Sequence, residues 1–439
     1  MAARKVFNDP KEYFPYIGHT LNKDFIENGR LFSLKHARTI KEFFIGNTFD
    51  DYVLDEKTED TKIYEGDSTL FSKITTKGFS KYKEAAKNPK NVFVICPRHR
   101  SLIDFIAAQP IHYFLIKKDT MVVAGDNLFV ASFAKFFRDF GGFMFLRKNK
   151  VFKRTGGNKL ELTVRQYLTS VLPTYLKDQM IDGKEAVRHD MILFPEFYTT
   201  AKGNVVSSGR TKTGELGEIS SIFSRILYKL SKDSDTNVYF VPANFSFSKY
   251  PDGVFLGHNS LFSQIIKPVK YLFELNYVFN KYPHFSERNP DAKLDITVNY
   301  SEAIKLNDLS PKQIKSTKEP DAFVNYLREQ IGQGETIYPS TLLCKALEGE
   351  KELSFRELDK RVSTLVDTYQ EKGIDVSNVD QFTASELAEY AATALNTNPR
   401  LLFHRKHDST ELITLTRDSV ISNNLRMQNW YSNMLAHLD

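Results

Sequence analysis

The chain has 439 residues, a net charge of +6, 41% hydrophobic and 26% charged residues, the balance of a globular protein of two or three domains. So small a positive charge does not by itself indicate nucleic acid as a partner, and it suits an anionic substrate or an anionic lipid surface equally well. The two cysteines, Cys96 and Cys344, lie far apart in apolar surroundings, which argues against a disulfide scaffold or a structural zinc site and fits a reducing cytoplasm.

Residues 1–80 mix aromatics with charge, contain stretches such as 31–44 with helical patterning, and read as a helical N-terminal region. Met1-Ala-Ala-Arg-Lys leads into polar and aromatic residues, so no secretory leader is expected. No uninterrupted run of about 18 apolar residues suggests a membrane-crossing helix. Thirty-five Phe and 21 Tyr stand against a single Trp. Such rings fill cores, and they also line acyl-chain tunnels and membrane interfaces.

From residue 91 the pattern changes. Short β-rich runs at 91–96, 121–124, 142–146, 191–194, 238–247 and 294–300 alternate with helical patterns at 129–140, 159–176 and 216–230. This alternation predicts an α/β domain over residues 81–310, a mostly parallel mixed sheet flanked by helices. Proline within 238–247 predicts a bulge or an edge position there. Residues 311–439 read as a helical C-terminal domain, with amphipathic patterns at 320–331, 354–372 and 384–395. Apolar runs at 400–404 and 411–416 suggest a hairpin-like insertion.

Four segments carry chemistry. In the first, Asn91-Val-Phe-Val-Ile-Cys-Pro-Arg-His99-Arg-Ser-Leu-Ile-Asp104-Phe, a buried strand ends at Pro97 and a helix begins near Ser101. His99 stands at the carboxyl end of a strand, where ligands of parallel sheets gather, and Asp104 can reach back to fix its tautomer. The same residues also satisfy a helix capping box from Ser101 to Asp104, which needs no catalysis.

The second segment, Gly141-Gly-Phe-Met-Phe-Leu-Arg147-Lys148, ends on two cations, and Lys150, Lys153, Arg154 and Lys159 follow with no acid between. It is either a solvated basic loop or a phosphate grip. The third carries Phe194-Pro-Glu196 to the same sheet edge. A Gly- and hydroxyl-rich loop with Lys202, Arg210 and Lys212 follows, able to cradle an anion. The fourth is the long strand around Val241-Pro242. Nucleotide-binding glycine signatures are missing, and so is a G-x-S-x-G nucleophile.

Taken in order, these segments resemble the four motif blocks of the glycerolipid acyltransferases, over roughly residues 91–306. His99-Arg-Ser-Leu-Ile-Asp104 is similar to that family's H-x4-D block. The adjoining Arg100, Ser101 and Phe105 resemble the glycerol-3-phosphate branch more than the lysophosphatidate branch. Arg147 stands where relatives contact the phosphate. Trp430-Tyr-Ser-Asn-Met-Leu-Ala-His437 is weakly similar to bacterial members of that branch.

The resemblance implies transfer of a fatty acyl group from acyl-CoA or acyl-carrier protein to the sn-1 hydroxyl of glycerol 3-phosphate, with no metal or other cofactor. It assigns catalysis to His99 and Asp104. Substrate contacts fall to Arg100, Ser101, Arg147, Lys148, Glu196, Lys202, Arg210 and Lys212. Relatives continue from the third-block Glu with Gly, one further residue, Arg and Ser. Here Phe197, Tyr198, Thr199 and Thr200 stand instead, so the phosphate-binding Arg is missing at Thr199. That departure keeps lysophosphatidate and dihydroxyacetone phosphate open as acceptors, and a non-catalytic lipid-binding relative open as an alternative. Residues 261–285, with Phe262, Phe273, Phe279 and Phe285 beside Lys267, Lys270 and Lys281, read either as a segment for peripheral contact with an anionic membrane or as a buried helix with snorkelling lysines.

Overall fold

The computed structural model describes residues 9–18, 53–56, 61–65, 71–101, 104, 107–108, 111–112, 115–116, 118, 120–126, 129, 138, 141–153, 159–182, 188–199, 205–208, 214–250, 294–315, 322–396 and 411–439. In chain order the strands are β1 (Val53–Glu56), β2 (Thr61–Glu65), β3 (Phe71–Lys77), β4 (Asn91–Pro97), β5 (Thr120–Gly125) and β6 (Gly142–Phe145). Then come β7 (Lys150–Lys153), β8 (Lys159–Leu162), β9 (Asp190–Ile192), β10 (Glu196–Thr199), β11 (Val205–Ser208) and β12 (Glu218–Ile219). The last are β13 (Asn237–Phe247), β14 (Leu294–Tyr300), β15 (Ile304–Lys305), β16 (Glu352–Ser354), β17 (Ile413–Leu415) and β18 (Ser419–Ser422).

The main sheet runs β1-β2-β3-β14-β13-β4-β9-β5-β6, with β15 also on β13. Its half from β13 to β6 is parallel throughout. The other half is mixed, with β14 antiparallel to β13 but parallel to β3. All seven residues of β4 are buried, as a strand covered on both faces requires, and this explains its unbroken apolar run. Described helical residues follow β4. They are Asp104, Ala107, Ala108, Ile111, His112, Leu115 and Ile116, buried or half-buried and recurring at the spacing of a single helix face.

Strand order places a switch point beside β4. The chain leaving β4 runs past the slot of β9 to reach β5, whereas the chain leaving β9 crosses back over β4 to β13. A crevice opens at the carboxyl ends of the strands where connections diverge in this way. The α/β class and the mostly parallel mixed sheet flanked by helices are as expected.

Several elements differ from expectation. Within residues 1–80, read as helical, Pro10–Ile17 is helical but β1, β2 and β3 extend the sheet, and the pattern at 31–44 lies outside the described residues. The pattern at 159–176 opens with a strand, because Lys159-Leu-Glu-Leu162 alternates exposed and buried residues and pairs with β7. The helix begins after it, at a capping box in which Gln166 N–H donates to Thr163 Oγ1 and Gln166 Oε1 accepts from Thr163 N–H, both at 3.2 Å. The strand β13 is central, not an edge. Pro242 lies opposite an irregularity, since pairing moves from Phe240↔Ile304 to Ala243↔Tyr300, with two residues facing three. The missing proline N–H therefore costs no ladder bond on that side.

Beyond residue 310 helices dominate: Ala322–Gln333, Pro339–Ala346, Phe355–Glu371, Ala384–Asn396 and Leu425–Asn433. They share one hydrophobic core with the sheet, and Phe323 meets Phe240 of β13 edge-on at 5.3 Å. The run at 411–416 supplies β17, which forms a hairpin with β18, a strand not expected there, and β16 joins it. Residues 400–404 lie outside the described residues. Among the described residues, no helix is long and apolar enough to cross a membrane.

Candidate active site

The loop after β4 delivers His99 to the carboxyl edge. Its ring Nδ1–H donates to Asp104 Oδ2 at 3.2 Å, because an ionised carboxylate can only accept. This fixes the tautomer and leaves Nε2 as the basic nitrogen. Oδ2 of Asp104 also accepts the backbone N–H groups of Arg100 and of Ser101, the latter at 2.6 Å. The carboxylate thus caps the helix start and orients the imidazole at once. Asp104 is fully buried, while the His99 side chain keeps 16% of its surface exposed.

Phe194, just past β9, lies against the His99 ring with centroids 4.5 Å apart. Two residues on, the buried Glu196 accepts His99 N–H through Oε2 at 2.5 Å and Gly217 N–H through Oε1 at 3.1 Å. Glu196, expected at the substrate, is observed bracing the backbone of the loop that carries His99.

The two arginines beside His99 turn inward. Arg98 donates to Glu335 Oε2 at 3.1 Å, to Met434 O at 2.9 Å and to Gly214 O at 2.8 Å. Gly214 has φ of 93°, and a Cβ there would fall 2.1 Å from Trp430 O, so only glycine allows this approach. Arg100 donates to both oxygens of Glu335, to Tyr250 Oη at 2.6 Å and to Asn244 Oδ1 at 3.2 Å. Burial alone would raise the Glu335 carboxyl, but Arg100 and Arg98 outweigh it and hold it below its usual range. Burial pushes the Tyr250 hydroxyl up to about 12, against the pull of Arg100. Arg100 is therefore a buried strut, not the substrate contact expected of it. Ser101 is fully buried as well, with its N–H on Asp104.

Further along the edge, Arg147 follows β6. Its Nε lies 3.4 Å from Oδ1 of the buried Asp126, which follows β5. Arg147 and Lys148 are exposed. The ends of β4 and β6 are three strand spacings apart, about 14 Å at the backbone. Burial holds the Lys150 ammonium below its usual range, and Lys150 donates to Asp126 O at 3.0 Å. The third segment forms an antiparallel pair of β10 with β11, with β12 on the other side of β10. Thr199 sits in β10 where the register shifts. Lys202, Arg210 and Lys212, with residues 261–285, lie outside the described residues.

Among the described residues no group of three His, Cys, Asp or Glu side chains is arranged to hold a metal ion. No protein-family model matches the chain, and no curated protein matches it in sequence.

Sequence reasoning missed Glu335, Gly214, Gly217 and Arg98. Glu335 lies in Gly332-Gln-Gly334-Glu335 between two helical patterns, a turn signal that gives no hint of ion pairs 235 and 237 residues away.

Proposed function

We propose that this chain is an acyltransferase of the glycerolipid type, in which His99 is the general base and Asp104 its orienting carboxylate. One observation carries the reading: the His99–Asp104 pair at 3.2 Å, with Asp104 buried and His99 partly open, at the carboxyl-edge switch point. His99 Nε2 takes the proton of an acceptor hydroxyl as that oxygen attacks the thioester carbonyl. Asp104 stabilises the imidazolium so formed. The tetrahedral intermediate collapses, the C–S bond breaks, and the departing thiolate recovers the proton from His99. Atoms and charge balance without a covalent acyl-enzyme, and the scheme calls for no metal or other cofactor.

The acceptor proposed is glycerol 3-phosphate, acylated at its sn-1 hydroxyl, with acyl-CoA or acyl-carrier protein as the acyl donor. Arg147, partly exposed on the same edge, supplies the charge for its phosphate, with Lys148 beside it. The product is a lipid, so the reading includes peripheral contact with the cytoplasmic face of an anionic membrane.

The test is thiol release from acyl-CoA and from acyl-carrier protein, each offered with glycerol 3-phosphate, dihydroxyacetone phosphate or lysophosphatidate. Release should depend on one acceptor and vanish in His99→Ala. No acceptor-dependent release by the folded wild-type protein, together with lipid binding, would leave the non-catalytic reading in its place.

A further inference from the structure

Two of the three residues Arg98, His99 and Arg100 send their side chains to a single carboxylate, and the middle one goes elsewhere. Glu335 accepts from Arg98, from both terminal nitrogens of Arg100, from Asn244 Nδ2 at 3.3 Å and from Ser246 Oγ at 3.1 Å. It sits between the helices Ala322–Gln333 and Pro339–Ala346, and Thr336 N–H beside it donates to the same Ser246 Oγ at 3.1 Å. Asn244 Nδ2 reaches back to Ile331 O at 3.0 Å. The carboxylate is thus fixed from both sides before it meets the arginines.

A buried ion network of this kind is a poor source of net stability, because desolvating three charges offsets most of their attraction. What it supplies is geometry. Arg98 and Arg100 reach one carboxylate from either side of His99, so that the residue between them is directed away from it. His99 does point away, to Phe194 and Asp104. The brace from Glu196 acts on the backbone N–H of His99, not on its ring.

We propose that Glu335 is a positioning residue for His99: by holding Arg98 and Arg100 on one carboxylate, it turns the imidazole toward Asp104 and the carboxyl edge. Its kinetic consequence rests on the acid–base reading of His99 given above, whereas its geometric consequence does not. The part of the chain beyond residue 310 thereby becomes a component of the site.

The test uses the full chain with isotope-labelled histidine. The His99 ring signals, assigned by their loss in His99→Ala, are followed through a pH titration in wild type, Glu335→Gln and Glu335→Asp. Steady-state kinetics run alongside. Glu335→Gln keeps the shape and removes the charge, and Glu335→Asp keeps the charge but withdraws it by one methylene. In a folded variant the His99 titration should shift, and kcat should fall roughly 10- to 100-fold while the acceptor KM holds. A folded variant with the wild-type His99 titration overturns the proposal whatever its kinetics. Failure of both variants to fold also overturns it, since Glu335 would then be structural alone. If wild type transfers no acyl group, the acyltransferase reading fails, and the titration still decides the role of Glu335.

Discussion

The sheet carries a His–Asp pair at each of its two edges, and both pairs measure 3.2 Å. At the carboxyl edge stands His99 with Asp104. At the amino edge, where β9 begins, His112 from the helix after β4 meets Asp190. The second pair is sealed. The His112 side chain is 2% exposed, and Tyr82 Oη lies 3.0 Å from its Nδ1. Asp190 also accepts from Lys118 at 2.7 Å and from Phe93 N–H at 2.9 Å. Burial alone would raise the Asp190 carboxyl, but Lys118 and His112 hold it below the usual range. The same burial drives the Tyr82 hydroxyl well above its usual range. Equal distances therefore do not make equal sites. The first pair has a buried carboxylate, a partly open ring and a place where connections diverge; the second has partners on both ring nitrogens.

The strongest way to break this contrast is to delete each imidazole. His99→Ala should lower acyl transfer by about 10²–10⁴ and cost less stability than His112→Ala, because Asp104 Oδ2 keeps the N–H groups of Arg100 and Ser101. His112→Ala should do the reverse. It strands Tyr82 Oη and one Asp190 oxygen in the interior, at a cost of about 1–3 kcal/mol of stability for each. Turnover of folded His112→Ala should persist. If that variant is folded but inactive, the amino edge is part of the chemistry and the contrast collapses.

Neutralising each carboxylate sharpens the comparison further. An Asn at 104 can still accept from Arg100 and Ser101 N–H, so the helix start should survive, yet the imidazolium would lose its counter-charge. Asp104→Asn should keep its denaturation midpoint and lose most activity. Asp190→Asn leaves the Lys118 ammonium without its anion and should cost about 1.5–3 kcal/mol, with turnover retained. Chemical denaturation beside an acceptor-dependent assay separates the two. An active Asp104→Asn would reduce Asp104 to a helix cap.

Only one of these pairs was legible in the sequence, and the reason is spacing. Asp104 lies five residues from His99, after an apolar run closed by proline, so strand, loop and helix start could be read together. Asp190 lies 78 residues from His112, and one histidine on an apolar helix face does not announce so distant a partner. The same limit hid Glu335, and it let Arg100 pass for a substrate contact when its charge is spent inside the fold. Core strands β4, β5, β6, β9, β13 and β14 were readable because burial leaves an apolar run. β1 and β2 were not, since four or five residues mixing charge with apolar groups carry too little periodicity. Pro242 correctly signalled an irregular ladder but not a central strand, because the partner that bulges is encoded about 60 residues later.

Acid should reach both poles of the sheet, but over different ranges. His189, beside Asp190, is held down to about 4 by burial, with Lys118 adding to the effect. His437, beneath the arginine cluster, is held down to about 3 by burial and then by Arg98, while its Nε2–H donates to Gly332 O at 3.2 Å. Both fall below the unfolded value of about 6.5. Below that pH the unfolded chain takes up protons that the folded chain refuses, so stability is complete above about 6.5 and declines as pH falls. Each histidine should contribute a loss of about 1.4 kcal/mol per pH unit within its window. The share from His189 should level off near pH 4, and the share from His437 should continue to about 3. Denaturation midpoints measured every half unit from pH 7 to 3 should therefore fall less steeply in His189→Gln and in His437→Gln than in wild type. Of the two, only His437→Gln should lessen the further loss below pH 4. If neither substitution flattens the profile, the two histidines are charged in the folded protein, and the packing around Arg98 is more open than its buried contacts require.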